Sequence, residues 1–415
     1  MDKGRKETVM HDVLALVLAG GKGERLHPLT LHRAKPAVPF GGKYRLIDFT
    51  LSNCINSHIR KIAVLTQYKS LSLNRHLAYG WNLFSAELGE YIISIPPQQR
   101  TGERWYEGTA DAVYQNIYMI EKEAPSYIFI LSADHVYKMD YSDMFEFHIE
   151  KGADVTIAAI EMERGKASSF GVMEVDKDFR VIGFEEKPEK PKPVPDNPGH
   201  SLVSMGIYLF NTKDIIGELR ADSMRDTAHD FGRNIIPSML GSRNIYAYNF
   251  KDENKKEAKY WRDVGTIDSY WEATMDLCSV DPLFNLYDKQ WPIRTYQCQN
   301  PPAKFVFAQE YKGGRLGIAL DSTVCDGCII SGGRVQNSVL SPGVRVNSYA
   351  EVRESILMEN VEIGRHCKIR RAIIDKDVYI PPKMVIGYDL ENDRKKFYVS
   401  PNGVVVIPKA VPINT

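Results

Sequence analysis

Short, unbroken apolar runs recur through the first two thirds of the chain: Leu14–Leu18, Ile62–Thr66, Tyr127–Leu131, Val155–Ile160 and Gly206–Phe210. Runs of this length without polar alternation suit strands buried on both faces of a sheet. Between them the period changes. Ala112, Val113, Ile117 and Ile120 share one face of a helix predicted over Asp111–Glu123. Ile267, Tyr270, Trp271, Thr274, Met275 and Cys278 mark a second amphipathic helix, closed by Asp281-Pro282. Alternation of this kind predicts a mixed or parallel sheet covered by helices, an α/β fold with ligands at the carboxyl ends of its strands. From about Ile318 the texture changes again. Val324 and Ile330, Val346 and Val352, Ile363 and Ile369, then Ile374, Ile380 and Ile386 recur at six-residue steps with one-residue slips. That period is the mark of a parallel β-helix.

The stretch Leu14–Phe40 concentrates the candidate chemistry. Its apolar run stops at Ala19-Gly20-Gly21, with Gly23 after one lysine. Glycines there let backbone N–H groups approach phosphate oxygens, and Arg25 and Lys35 supply fixed positive charge. Neither G-x-x-x-x-G-K-[ST] nor G-x-G-x-x-G is present, which excludes a P-loop and a simple dinucleotide fold. Asp134 directly follows the run Tyr127–Leu131, and Asp263 stands in a second polar motif, Tyr260–Thr266. Either aspartate alone reads as a turn cap. Brought together, the two would suit Mg2+, a hard cation that takes oxygen ligands.

Charge narrows the function classes. Lysine plus arginine and aspartate plus glutamate each number 53 in 415 residues, a formal net charge of zero. No electrostatic footprint for nucleic acid or an anionic membrane results. No apolar run reaches spanning length, and the first dozen residues lack the apolar core of a signal peptide. The six cysteines are scattered, so the expectation is a cytoplasmic protein with reduced thiols.

Longer motifs go further. LAGGKGERL and AKPAVPFGGKYRLIDFTLSN resemble the signature of sugar-1-phosphate nucleotidyltransferases, most closely the glucose-1-phosphate adenylyltransferases, and the likeness extends over nearly the whole chain. The resemblance implies a Rossmann-like nucleotidyltransferase domain with a mixed sheet over residues 1–282, a linker over 283–317, and a left-handed parallel β-helix over 318–415. It implies transfer of the adenylyl group of ATP to α-D-glucose 1-phosphate, for glycogen synthesis, by a homotetramer. Residue by residue, it assigns magnesium to Asp134 and Asp263 and catalysis to Arg25, Lys35 and Asp134. It assigns the nucleotide to Gly20, Gly21, Gly23, Arg25 and Lys35. Glu186 and Lys187 in EEKP, Gly171 in FGVM, Ser204 in SMGIYLF and Tyr106 in WYEGTADAV match sugar-phosphate contacts, Lys187 on the phosphate. A uridylyl- or thymidylyltransferase, or a non-catalytic regulatory subunit of the same architecture, is the rival reading. The proline-rich stretch Pro188–Pro198 reads as a surface connector, with a substrate lid as the alternative.

The family also has sites for a phosphorylated metabolite activator and for AMP or phosphate as inhibitor. Arg33 and Arg45 match its anion-binding arginines, and Glu359 and Lys376 lie at β-helix positions of the inhibitor pocket. Many bacterial members carry lysine before that first arginine; here it is His32, and Pro39 replaces a histidine of the enteric enzymes. An imidazole carries charge only on the acid side of neutrality, so activation is expected to be weaker and pH-dependent.

Overall fold

The computed structural model describes residues 10–98, 105–194, 197–252, 257–409 and 413. Residues 195 and 196 of the proline-rich stretch and the first nine residues of the chain lie outside it. The expected apolar runs all form strands. In chain order they and their neighbours are β1 (Val13–Ala19), β2 (Lys61–Thr66), β3 (Tyr91–Ile95), β4 (Tyr127–Ser132), β5 (Val155–Glu163), β6 (Gly171–Val175), β7 (Val181–Glu186), β8 (His200–Asn211) and β9 (Ile245–Asn249). They make one mixed sheet. Strands run in the order β7-β6-β8-β4-β1-β2-β3, and β5 joins the long β8 to β9. Pairs β1·β4, β1·β2, β2·β3 and β5·β9 are parallel, while β8 runs antiparallel to β4, β5 and β6.

The unbroken apolar run of β1 has a physical cause: Ala15 and Val17 face one buried cluster, Leu14 and Leu16 another. Helices cover both faces, so alternation with polar residues would bury unpaired groups. The predicted helix over Asp111–Glu123 is two helices, Thr109–Tyr114 and Ile117–Glu123. At the break, Asn116 turns its side-chain amide onto the Ala112 carbonyl (2.8 Å), competing with the backbone ladder. Its apolar positions are buried as the spacing predicts.

The carboxy-terminal part is a parallel β-helix of three sheets. Three rows of aliphatic side chains stack up its interior: Ile330, Val346, Ile363, Ile380; Val335, Val352, Ile369, Ile386; and Leu340, Leu357, Ile374, Ile407. All are fully buried. Neighbours in a row stand 16 or 17 positions apart over most of the series, three six-residue turns less one or two, which explains the slips in the pattern. The first strand of the coil, Lys304–Val306, pairs with Ile329–Ser331 and so lies inside the stretch expected to be linker. Phe305 is exposed there, so no apolar period announces that strand.

The β-helix docks on the α/β part through a shared apolar core. Leu26, Val38, Phe40, Phe49, Ile267 and Tyr270 meet Ile356, Met358, Ile373, Val404 and Val406. Trp271 of the helix Ile267–Met275 donates its indole N–H to the Glu354 carbonyl (2.9 Å), and Arg371 lies over its ring. Docking therefore fixes the segments on either side of Lys35 and the helix that follows Asp263.

Candidate functional site

At the carboxyl ends of β1, β2 and β4 opens a cleft of about 840 Å³. The glycine segment Gly20–Arg25 forms one wall, Tyr106–Thr109 a second, and Glu186-Lys187 with Asp230 and Arg233 a third. Gly23 has φ +64, and a Cβ there would come within 2.9 Å of the Lys35 Cβ. Only glycine lets the loop close down on the buried lysine. Lys35 begins the turn Lys35–Ala37, and its neighbour Pro36 fixes the backbone for that turn.

Lys35 Nζ joins the two candidate carboxylates, 2.8 Å from Asp134 Oδ2 and 3.0 Å from Asp263 Oδ1. Their meeting follows from a short ribbon. His135–Tyr137 pairs antiparallel with Trp261–Asp263, which sets Asp263 opposite His135, next to Asp134. Ser132 at the end of β4 donates to Asp134 Oδ1 (2.9 Å), and Arg25 approaches Asp263 at 3.9 Å. Burial would raise the Asp134 carboxyl, but Lys35, His135 and Ser132 hold it well below the usual carboxylate range. Burial likewise disfavours the Lys35 ammonium, yet the two aspartates outweigh it and raise its pKa. The floor of the cleft thus carries the ionised Asp134 and the Lys35 ammonium, which also holds Asp263. No third ligating side chain joins them among the described residues.

On the far wall, β7 delivers Glu186 and Lys187. Gly171 of β6 pairs with Glu186 in register. Lys187 has φ +53, a left-handed conformation that costs a lysine about 1 kcal/mol, and its amide is tied to the Phe170 carbonyl (3.0 Å). Its half-exposed ammonium stands 3.4 Å from Glu186 Oε1. Burial, with Asp230 nearby, pushes the Glu186 carboxyl up, against the opposing pull of Lys187 and Arg233. Ser204 sits at the irregularity in β8, where its Oγ accepts from the Gly206 amide (3.2 Å); it is buried and does not line the cleft.

Several lining residues carry no motif that the sequence alone flags. Asp230 accepts from Gly232 and Arg233 amides and from the Thr109 hydroxyl (3.0 Å), which ties two walls together. Gln67 at the end of β2 reaches the Tyr106 carbonyl (3.4 Å). The signal for Gln67 was its place, one residue past a buried parallel strand at a ligand-bearing edge.

A second polar cluster lies where the two parts dock. Arg33 makes two bonds to Asp375, at 2.8 and 3.0 Å, and its other terminal nitrogen is buried without a partner. Lys376 Nζ lies 2.7 Å from Glu359 Oε2, while Arg45 donates to the Ser72 carbonyl (2.9 Å). Burial lowers the pKa of both Arg45 and Lys376, and each cation is disfavoured further by the Arg33 charge. Four of the five residues matched to effector sites are therefore gathered in one place. Arg33, expected as an anion ligand, already spends one terminal nitrogen on Asp375. His32 is exposed on the surface beside it.

Comparison with known proteins agrees with this geometry. A nucleotidyl transferase family model matches residues 14–280, and a GlmU-like C-terminal hexapeptide model matches residues 301–407. The chain is 55% identical over 99% of its length to the glucose-1-phosphate adenylyltransferase of Rhodopirellula baltica, of which it covers 94%. It is 57% identical to that of Koribacter versatilis, with 96% of each chain covered. Against the Methylococcus capsulatus protein of the same name, identity is 54% over 95% of this chain and 92% of the relative. With its cleft, its β-helix and these likenesses in agreement, the chain belongs to the glucose-1-phosphate adenylyltransferase family of nucleotidyl transferases.

Proposed function

We propose that the protein transfers the adenylyl group of ATP to α-D-glucose 1-phosphate, giving ADP-glucose and pyrophosphate as the committed donor for glycogen synthesis. The observation that carries this reading is the Lys35–Asp134–Asp263 cluster on the floor of a cleft with a glycine loop on one side and Glu186-Lys187 on the other. A phosphate oxygen of the sugar phosphate forms the new bond to the α-phosphorus as the bond to the β,γ-pyrophosphate breaks. That nucleophile is already an anion at neutral pH, so no general base is required. Catalysis is then positioning and charge neutralisation. Lys187 holds the sugar phosphate, Tyr106 and Glu186 bound its pocket, and Arg25 and Lys35 stabilise the triphosphate and the departing pyrophosphate.

Asp134 and Asp263 suit Mg2+. Both offer hard oxygens, the strongly depressed pKa of Asp134 keeps it ionised, and two protein carboxylates leave room for phosphate and water ligands. When bound there, magnesium supplies a template and Lewis acid for the phosphate oxygens. Lys35 bridges the same two carboxylates.

The cluster of Arg33, Arg45, Lys376 and Glu359 is proposed as the place where a phosphorylated activator, or AMP or phosphate, acts on a cytoplasmic homotetramer. Its location between the two parts supports that reading, since a ligand there touches both. The decisive experiment follows pyrophosphate release by the purified protein with glucose 1-phosphate, magnesium and ATP, UTP or dTTP in turn. ATP alone should support turnover. Preference for UTP or dTTP would establish the rival transferase, and no turnover with any would leave a regulatory subunit.

A further inference from the structure

The wall that carries Tyr106 is controlled by a residue outside the cleft. The backbone of that wall is pinned at Gly108, where a Cβ would fall 2.2 Å from the His229 carbonyl oxygen, and at Ala110, whose amide donates to that same oxygen (2.7 Å). What remains to be set is the phenol. Asn116, buried at the break between the two helices, has its Nδ2 at 2.8 Å from the Ala112 carbonyl and 3.0 Å from Tyr106 Oη.

Chemistry fixes the direction of both bonds. A backbone carbonyl only accepts, so the Asn116 atom that faces Ala112 is the amide nitrogen, and an amide nitrogen only donates. Its two protons go to its two neighbours. Tyr106 Oη therefore accepts from Asn116, and its own single proton must point elsewhere. No hydrogen bond carries that proton to another protein group among the described residues. Tyr106 lines the cleft, and burial raises the phenol pKa, so it stays protonated at neutral pH.

We propose that Asn116 is a positioning residue that fixes the Tyr106 hydroxyl as a hydrogen-bond donor to an oxygen of the bound sugar phosphate. The inference rests on the function proposed above.

The test uses full-length protein with ATP, glucose 1-phosphate and magnesium. Tyr106→Phe removes the donor and should raise KM for glucose 1-phosphate about 3- to 10-fold, the range for one neutral hydrogen bond, with KM for ATP unchanged. Asn116→Asp reverses the polarity: its carboxylate accepts the phenol proton and withdraws it from the substrate. It should raise KM for glucose 1-phosphate by a similar factor, and the double variant should be no worse than Tyr106→Phe alone. An unchanged KM in Tyr106→Phe overturns the proposal, as does an effect on KM for ATP alone. So does an additive loss in the double variant, which would mean that Asn116 acts only through the fold. Tyr106→Phe leaves the buried asparagine in place, so an unchanged KM there overturns the proposal even if Asn116→Asp fails to fold. Absence of ADP-glucose formation by the unaltered protein would instead overturn the proposed function.

Discussion

Lys35→Met deletes the ammonium that Asp134 and Asp263 share at 2.8 and 3.0 Å and leaves a side chain of similar length. Lys35 is almost fully buried, and the two carboxylates are only 26% and 17% exposed, so water cannot take over its role completely. Breaking a buried ion pair by removing one partner costs about 3–5 kcal/mol. Partial hydration of the aspartates puts the expected loss near the lower end, about 3 kcal/mol. The loss has a pH signature. The folded-state pKa of Asp134 lies below its unfolded value, so its contribution to stability is present above the ordinary carboxylate pKa of about 3.9 and is lost as pH falls through the depressed folded value. Lys35, whose pKa is raised, contributes below the ordinary lysine value and loses that contribution only as pH rises through its folded value. The gap between wild type and Lys35→Met should therefore be full at pH 7 and narrow as pH drops below about 4. Urea denaturation followed by tryptophan fluorescence, at pH 7 and again near pH 3.5, measures it. Equal stability of the two proteins at pH 7, or a gap that widens on acidification, would refute the reasoning. Activity should fall as well, by about 10²–10³ in kcat, as for loss of one electrostatic contact to a developing charge.

Asp134→Asn keeps the shape of the floor and removes its charge; kcat should fall about 10²–10³-fold with smaller changes in KM, measured by pyrophosphate release at saturating magnesium. Lys187→Ala should act oppositely, raising KM for glucose 1-phosphate about ten- to a hundredfold with kcat less affected, because in the proposed binding mode it removes a charged hydrogen bond to the substrate phosphate. His32→Lys, which puts a fixed charge in place of an imidazole, should lower the concentration of the proposed phosphorylated activator needed for half-maximal stimulation. Identical half-maximal concentrations in both proteins at every pH would make His32 a bystander.

What the chain reveals about itself depends on how far apart the interacting residues stand. β1, β2 and β4 were legible because burial on both faces leaves no room for polar alternation. The β-helix was legible because its three interior rows return an aliphatic residue to the same place on every coil. Its first strand was not, since Phe305 faces outward and continues no period. The break at Asn116 escaped because helical spacing on both sides of it stays in phase, and only the side chain's bonds reveal the interruption.

The site shows the same division between residue type and partner. The glycine loop, Lys35 and the two aspartates could be named from motifs, and each fits its type: flexible backbone, fixed cation, hard anion. Their assembly rests on contacts no local pattern encodes. Lys35 and Asp263 are separated by 228 positions, and a ribbon of two three-residue strands brings Asp263 to Asp134. Strands that short carry almost no periodic signal. Arg33 makes the point most sharply. As an arginine in a basic motif it reads as an anion ligand, but folding places it against Asp375, 342 positions away, and gives two of its hydrogen bonds to the β-helix. A buried guanidinium so paired links the two parts of the chain, and any anion that competes for its unpartnered nitrogen must do so against that link. The cluster proposed for effectors is therefore a structural joint first, and a ligand there would change how the β-helix holds the segment that carries Lys35.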